Sequence, residues 1–271
     1  MTETELIETM CAAAYSASMK ISEIYRGEYT VNYKSDESPV TSADVASEGV
    51  IIPMLMERFP ECSCLSEESA DSDNGDRLTN ENGVFIVDPL DGTAEFVARS
   101  GEFAVSIGFT KEHRVVAGVI AVPEKRLMYY AAENCGAYKL TFDDYESGFS
   151  FGCGEKIHVS ARTDGIIVAV SRSFNTAESD ALIEKNRARI GSVMAVGSCY
   201  KGCMIAEGRA DVHYRFGEKT KEWDTAAMQC IVTEAGGIVT DLDGREITAN
   251  RKDYYNRCGF IILNRRENAL K

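Results

Sequence analysis

Basic residues are scarce in this chain, and their scarcity limits the partners that it can bind. The 271 residues include 29 Lys and Arg against 43 Asp and Glu, so the formal net charge is -14, and no run of five basic residues occurs. Surfaces that bind long nucleic acids carry such clusters, so we expect no nucleic-acid polymer as a partner. A small phosphorylated substrate would need a local positive field from metal ions, helix N-termini and a few Lys or Arg side chains.

Hydrophobic runs long enough to cross a membrane are absent. The longest apolar stretches, residues 50–56 and 115–122, are far below the roughly 20 residues that span a bilayer, so we expect no transmembrane segment. The acidic start of the chain leads into no apolar run, which argues against a secretory signal. The nine cysteines lack the Cys-x2-Cys spacing of zinc modules, and their odd number favours a reducing, cytoplasmic location.

Several catalytic signatures are missing too. Only His113, His158 and His213 supply imidazole groups, so a Ser-His-Asp or Cys-His hydrolase has little support. Neither a Walker A sequence nor a strand-linked Gly-x-Gly-x-x-Gly occurs, so nucleoside triphosphate and dinucleotide cofactors are not implied.

Two acids follow a strand-like run of β-branched and aromatic residues at positions 84–87. The next six residues read DPLDGT, in which Pro89 would stop the sheet ladder and the turn would bring Asp88 and Asp91 together. Carboxylates so close repel each other, so we expect a counter-charge, and Mg²⁺ is a hard cation that takes oxygen ligands of this kind. The haloacid-dehalogenase-like phosphatases need acids two positions apart, whereas this pair is three apart.

Gly92 and Thr93 add a second feature to the same turn. A glycine before a helix start lets backbone N–H groups approach a phosphate, and Thr93 can orient a water or simply cap the helix. Glu67 and Asp224 are weaker candidates, because Glu67 can belong to a solvated turn and Asp224 can be an N-cap. Taken together, these residues suggest metal-assisted phosphoryl hydrolysis.

The first half of the chain opens with two predicted helices. Apolar residues recur at three- and four-residue steps over positions 6–24, and Gly27 follows them, which predicts an amphipathic helix with a glycine stop. Ser42 can cap a second helix that runs to about Phe59, and Pro53 should kink or break it.

The remaining pattern predicts two lobes of different architecture. Residues 71–83 are polar and predict a mobile loop, and three strand-like runs within residues 103–132 predict an antiparallel meander. Strands then alternate with helices. We therefore predict an α+β N-terminal lobe at residues 1–155, which holds Glu67, Asp88 and Asp91, and an α/β C-terminal lobe at residues 156–271, which holds Asp224.

Four motifs occur in a characteristic order, at residues 38–44 (SPVTSAD), 65–69 (LSEES), 87–93 (VDPLDGT) and 222–227 (EWDTAA). They resemble the lithium-sensitive, magnesium-dependent inositol monophosphatase superfamily over nearly the whole chain. Further segments resemble its CysQ-type 3'(2'),5'-bisphosphate nucleotidases, at residues 95–96, 100–103, 171–173 and 197–201. The resemblance implies a layered α-β-α-β-α sandwich of the inositol monophosphatase or sugar phosphatase type, with the active site between the lobes.

The resemblance also implies roles for individual residues. Two or three Mg²⁺ ions would be bound by Glu67, Asp88, the Leu90 carbonyl, Asp91 and Asp224. The catalytic residues would be Asp44, Glu67 and Thr93, and phosphate would contact Gly92 and Thr93. The substrate would be bound by Ser171, Arg172, Phe174, Ser198, Lys201, Arg215 and Asp224. The alternative for Lys201 and Arg215 is a solvated surface charge.

Two positions depart from the pattern of this branch. Ala94 stands where a Lys is expected, which removes one possible anion contact. Phe174 stands where a His is common, and its ring can stack on adenine or pack in the core. Both departures bear on the range of substrates rather than on catalysis.

The resemblance implies a cytoplasmic phosphatase that removes the 3'-phosphate of adenosine 3',5'-bisphosphate, giving AMP. A metal-activated water would attack directly, without a covalent phosphoenzyme, and the reaction would be linked to sulfate assimilation. The alternative within the superfamily is an inositol or sugar phosphatase. A non-catalytic nucleotide-binding protein is the alternative from another class, and a homodimer is possible.

Overall fold

The computed structural model describes residues 1–33 and 39–271. Ser38, the first residue of the motif at 38–44, lies outside the described residues. The helices are α1 (Glu3–Arg26), α2 (Ser42–Arg58), α3 (Thr93–Val97), α4 (Phe142–Glu146), α5 (Ala177–Lys185), α6 (Tyr200–Ala206) and α7 (Glu222–Glu234). Among the described residues, no helix combines the length and the hydropathy needed to cross a bilayer.

The strands form two sheets and a separate β-pair. They are β1 (Val31–Tyr33), β2 (Pro39–Thr41), β3 (Ser63–Ser66), β4 (Val84–Asp91), β5 (Ala104–Lys111), β6 (Arg114–Val122), β7 (Leu127–Ala132), β8 (Gly136–Thr141), β9 (Glu155–Ile157), β10 (Ile166–Ser171), β11 (Ile190–Val196), β12 (Val212–Arg215), β13 (Ile238–Thr240) and β14 (Phe260–Leu263). The larger sheet has the order β3-β4-β5-β6-β7-β8-β9, and the smaller sheet has the order β11-β10-β12-β14-β13. β1 and β2 pair with each other.

Pairing within the sheets confirms the predicted meander. In the larger sheet β3 is parallel to β4, and the strands from β4 to β9 are antiparallel to their neighbours. In the smaller sheet β10 is parallel to β11 and β12, whereas β14 is antiparallel to β12 and β13. Along the chain, β9 is the last strand of the larger sheet and β10 is the first strand of the smaller one. Helix α7 packs against both sheets, so the division into lobes stays a prediction.

The helices and sheets alternate in five layers. Residues of α1 and α2, such as Ile7 and Ile51, form one core with Val87 and Ile107 on one face of the larger sheet. Helices α6 and α7 fill the space between the two sheets, and α5 packs its Leu182 against the outer face of the smaller sheet. The α-β-α-β-α layering is therefore confirmed.

The start of α2 differs from the prediction. Thr41, not Ser42, is the N-cap, because its extended backbone lets its Oγ1 accept a hydrogen bond from the Ala43 N–H at 3.1 Å. The Asp44 carboxylate closes the capping box by accepting the Thr41 N–H at 2.7 Å. Pro53 lies inside α2, which continues to Arg58 without a break.

The loop predicted at residues 71–83 is anchored by a buried arginine. Two 3₁₀ turns lie at Ala70–Ser72 and Asp76–Thr79. The Arg77 guanidinium donates to the Asn250 side chain at 2.6 Å and to the Arg251 carbonyl at 3.0 Å. The polar composition of the loop gave no sign of this anchor, because it depends on a segment that is distant in sequence.

Glycines in the larger sheet let α7 lie directly on it. A Cβ added at Gly108 would come within 2.7 Å of the Ala226 Cβ, and one added at Gly118 would overlap the Ala227 carbonyl. The Ser106 hydroxyl also donates to the Trp223 carbonyl at 3.1 Å. These contacts fix the first half of α7 above β5 and β6.

We predict that Gly118→Ala destabilises the protein by about 1–3 kcal/mol, because the added methyl overpacks the contact between the sheet and α7. Gly49→Ala is the matched control: Gly49 lies in α2 with no neighbour within 4 Å of an added Cβ. This control should be stabilising by about 0.5–1 kcal/mol. Urea unfolding measures both changes, and an unaltered stability of Gly118→Ala would contradict the close packing.

The buried His213 on β12 predicts a loss of stability in acid. Its Nδ1 lies 2.9 Å from the Ala169 carbonyl, and burial, with the nearby Lys201 charge, lowers the pKa of His213 to about 3. An unfolded histidine has a pKa of about 6.5, so stability is lost as the pH falls through and below this value. Between pH 7 and pH 5, the free energy of unfolding of the unaltered protein should fall by about 2 kcal/mol more than that of His213→Gln.

Urea unfolding of both proteins at several pH values measures this difference. His158→Gln, which replaces an exposed histidine, is the control, and its stability should depend on pH in the same way as that of the unaltered protein. Equal pH dependence of the protein and His213→Gln would show that the buried imidazole is not the cause.

Candidate active site

A bulge in β4 brings Asp88 and Asp91 to the same side. Asp88 pairs with Ser106 and Asp91 with Ala104, so the bulged strand holds one residue more than its partner. Residues three apart on a regular strand point to opposite faces, and the extra residue cancels this alternation. The expected stop at Pro89 is therefore wrong, because the ladder resumes after the bulge.

Asp224 joins these two acids from the first turn of α7. Asp88, Asp91 and Asp224 each place a carboxylate oxygen within 4.8 Å of the other two. Lys221, not Asp224, is the N-cap of α7, and the Asp224 carboxylate accepts the Lys221 N–H at 2.6 Å. The simple N-cap interpretation of Asp224 is therefore wrong.

The electrostatics of this cluster are unfavourable without a cation. Glu67 follows β3, donates its N–H to the Val87 carbonyl at 3.1 Å, and stands beside the cluster. Burial, followed by repulsion from Glu67 and Asp91, raises the pKa of Asp88 well above its usual value. Burial, followed by repulsion from Asp91 and Glu67, raises the pKa of Asp224 to about 8. The concentration of negative charge suits a divalent cation.

Asp44 connects α2 to the start of α3. Its carboxylate accepts the Thr93 hydroxyl at 3.0 Å and the Thr41 hydroxyl at 2.7 Å. The Thr93 hydroxyl also lies 3.3 Å from the Leu90 carbonyl. Gly92, with a φ of 91°, is the N-cap of α3, so the interpretation of Thr93 as a helix cap is wrong. The Thr93 hydroxyl is instead held by a buried acid.

The turn before α6 forms the opposite wall. The Cys199 N–H donates to the Asp91 carboxylate, a backbone contact that no side-chain pattern in the sequence indicates. The Lys201 ammonium donates to the Ser198 carbonyl at 2.6 Å. Burial lowers the pKa of Lys201, although attraction to Asp91 and Glu95 opposes the shift. The surface-charge alternative is therefore wrong for Lys201, since its half-buried ammonium is bound by a backbone carbonyl.

Arg215 reaches the same region from the end of β12. Burial lowers its pKa, and attraction to Asp224 and Asp91 opposes this. Its guanidinium donates to the Phe174 carbonyl at 2.8 Å and lies 5.9 Å from the centre of the Phe174 ring. The ring is 55% exposed, so packing in the core is wrong for Phe174. The Ser171 hydroxyl accepts the Phe174 N–H at 3.1 Å.

Arg172 is engaged within the protein. Its Nε and Nη2 donate to the two carboxylate oxygens of Glu102, at 2.7 and 3.1 Å, and Nη2 also donates to the Ala195 carbonyl at 2.7 Å. The sequence placed Glu102 in a family-like segment but gave it no role. Only the spatial arrangement shows the pair.

A Gly-x-Ser-x-Gly spacing occurs at residues 148–152, but it is not the nucleophile elbow of serine hydrolases. It follows α4 and lies in turns and irregular chain. A nucleophile elbow joins a strand to a helix. The position therefore gives no support to a serine nucleophile.

Comparisons with known proteins identify the family of the chain. The inositol monophosphatase family model matches residues 2–270. The 3'(2'),5'-bisphosphate nucleotidase CysQ of Salmonella typhimurium is 33% identical over 262 residues, covering 95% of this chain and 99% of that protein. Human inositol monophosphatase 1 is 31% identical over 252 residues, covering 89% and 84%.

A solved structure extends the likeness to three dimensions. The crystal structure of CysQ from Bacteroides thetaiotaomicron, described as a bacterial member of the inositol monophosphatase family, matches with a TM-score of 0.81 at 33% identity. The match covers 97% of this chain and 98% of that chain. Fold, sequence and family model therefore agree that the chain belongs to the inositol monophosphatase family.

Proposed function

We propose that the chain is a magnesium-dependent phosphatase that hydrolyses the 3'-phosphate of adenosine 3',5'-bisphosphate to AMP and phosphate. The observation that carries this proposal is the cluster of Asp88, Asp91 and Asp224, whose carboxylate oxygens lie within 4.8 Å of one another. Lys201 and Arg215 both act electrostatically on Asp91, so cations stand near the acids. Curated relatives named as 3'(2'),5'-bisphosphate nucleotidases support the substrate.

The donor set fits Mg²⁺. Carboxylates and a carbonyl are hard oxygen ligands, and burial with mutual repulsion raises the pKa of Asp88 and Asp224, which a divalent cation would reverse. The residues that would hold two or three ions are Glu67, Asp88, Leu90 through its carbonyl, Asp91 and Asp224. When bound, Mg²⁺ supplies Lewis acidity that activates water for direct attack and offsets charge on the phosphate.

Asp44 and Thr93 orient the attacking water. The Asp44 carboxylate accepts a hydrogen bond from the Thr93 hydroxyl at 3.0 Å, which leaves the Thr93 oxygen lone pairs to accept a hydrogen bond from water. Asp44 is itself fixed by Thr41, so the hydroxyl cannot rotate freely. We assign Glu67 to catalysis as well as metal binding, because the half-buried residue is close enough to Asp88 to raise the pKa of its carboxyl.

The substrate binds between the acidic cluster and the cations. The left-handed backbone of Gly92 lets the amides of Gly92 and Thr93 approach the reacting phosphate. Lys201 and Arg215 face the second phosphate, which favours a bisphosphate in a chain of net charge -14. The other contacts that we assign to the substrate are those of Ser171, Ser198, Asp224 and the exposed ring of Phe174, which can stack on adenine.

An inositol or sugar phosphatase is the second candidate. Human inositol monophosphatase 1 is almost as similar in sequence as the CysQ relatives, and Ala94 lacks the charge of the Lys expected in the nucleotidase branch. Lithium sensitivity, a role in sulfate assimilation, a cytoplasmic location and a possible homodimer stay predictions.

With Mg²⁺, we expect faster phosphate release from adenosine 3',5'-bisphosphate than from inositol 1-phosphate or fructose 1,6-bisphosphate. Lys201 and Arg215 face the second phosphate, which inositol 1-phosphate lacks, and the exposed Phe174 ring can stack on the adenine, which fructose 1,6-bisphosphate lacks. Phosphate assays with each substrate, repeated with EDTA and with Li⁺, measure this preference, and both additions should lower the rate. Faster turnover of either sugar substrate would overturn the nucleotide assignment. Nucleotide binding without any phosphate release would favour the non-catalytic alternative.

Asp91→Asn should reduce phosphate release at least 100-fold while the protein stays folded, because it removes ligand charge and preserves shape. It should also abolish the rise in melting temperature that Mg²⁺ produces by binding the native state. Asp243→Asn is the matched control and should leave phosphate release unchanged. Asp243 is an exposed acid that lies with Asp241 and Cys258, away from the proposed site. Full activity and an intact Mg²⁺ response in Asp91→Asn would refute the metal site.

A further inference from the structure

We propose that Glu102 and Arg172 form a clamp that positions the turn at residues 197–199 against Asp91. The clamp joins the chain just before β5 of the larger sheet to the ends of β10 and β11 in the smaller sheet. Glu102 and Arg172 are positioning residues in this proposal, and Arg172 is not a phosphate contact. The importance of Asp91 rests on the function proposed above.

Glu102 is the centre of the clamp. One of its carboxylate oxygens accepts the Arg172 Nε at 2.7 Å and the Gly197 N–H at 2.8 Å, and the other accepts the Arg172 Nη2 at 3.1 Å. Its side chain is only 14% exposed. A bidentate Arg–carboxylate pair has a fixed geometry, so one carboxylate sets both the arginine and the start of the turn.

Arg172 extends the clamp to β11. Its Nη2 donates to the Ala195 carbonyl at 2.7 Å, and its backbone N–H donates to the Val196 carbonyl at 3.2 Å. The guanidinium therefore binds the strand that leads into the turn. A phosphate contact through Nε or Nη2 would have to break the ion pair and leave the largely buried Glu102 carboxylate without its cation.

Gly197 leaves almost no space between the clamp and its neighbours. A Cβ added there would come within 2.6 Å of the Glu102 carbonyl and of the Glu95 Cγ. The hydroxyl of Ser173, which follows Arg172, donates to the Glu95 carboxylate at 2.7 Å and makes a second link between the same segments. The turn is thus held on both sides.

The turn transmits this position to the acidic cluster. Ser198 has a φ of 52°, a left-handed backbone that few non-glycine residues adopt without support. The next amide, that of Cys199, donates to the Asp91 carboxylate. The Ser198 carbonyl accepts the Lys201 ammonium at 2.6 Å. A shift of the turn would therefore move a donor to Asp91 and the proposed phosphate contact Lys201 together.

Two variants test the clamp, Glu102→Gln and Arg172→Gln. Glu133→Gln is the matched control, because Glu133 pairs with Arg114 at 2.7 Å on an exposed surface. In the metal-free protein, we expect at least tenfold faster hydrogen exchange of the Gly197 and Cys199 amides in both variants. The control should leave the exchange rates of these amides unchanged. Unchanged exchange at these amides would overturn the clamp, and this measurement does not depend on the proposed function.

A second measurement separates positioning from a merely structural role. Trp223 is the only tryptophan in the chain and adjoins Asp224, so its fluorescence can follow Mg²⁺ titration. Both variants should raise the Mg²⁺ midpoint at least threefold and the KM for adenosine 3',5'-bisphosphate at least tenfold. In the double variant, the midpoint and the KM should rise no further than in either single variant. Faster exchange with unmoved midpoint and KM would overturn the positioning role.

The assignment of Arg172 has its own outcome. If Arg172 contacts phosphate directly, Arg172→Gln raises KM with the Mg²⁺ midpoint unmoved, and its effect adds to that of Glu102→Gln; that result would overturn the inference. If the unaltered protein releases no phosphate, the proposed function fails, and amide exchange still decides whether the clamp holds the turn.

Discussion

Repulsion among three neighbouring carboxylates is the constraint on which the rest of the site depends. Asp88, Asp91 and Asp224 would separate if their backbones were free to move, so the fold holds each of them by a backbone amide. Asp88 accepts the Leu90 N–H at 3.0 Å, Asp224 accepts the Lys221 N–H at 2.6 Å, and Asp91 accepts an N–H from the turn before α6. Each bond orients a carboxylate without neutralising its charge, which keeps the cluster attractive to a cation.

The two walls of the site come from different layers and carry opposite charge. The larger sheet contributes Asp88 and Asp91, and the smaller-sheet side contributes Lys201 and Arg215. In a chain of net charge -14, these cations create a local field that the overall charge would not provide. The residues of the proposed metal site and those proposed to bind the second phosphate therefore lie on different elements of the fold.

Local sequence patterns predicted the position of a helix or strand correctly where that position depends on the residues of the element itself. Helix α1 and the strands of the meander lie where apolar periodicity indicated them, because a helix or strand must bury one face in any fold. Local reasoning erred at Pro89 and Ser42, where a bulge and a preceding threonine decide the geometry. The resemblance implied a substrate contact for Arg172 and gave no sign of its ion pair with Glu102. A side-chain pair 70 residues apart leaves no local pattern.

The sequence by itself predicted the chemistry that we propose, through oxygen donors in recognisable order that suit a hard cation, and it placed the chain in a family. Tertiary structure alone decided how those donors meet. Gly108 and Gly118 admit α7 against the larger sheet, and this contact brings Asp224 to acids that precede it by more than 130 positions. The physical reason is that close packing and backbone hydrogen bonds act between elements, and neither leaves a periodic pattern in the residues that take part.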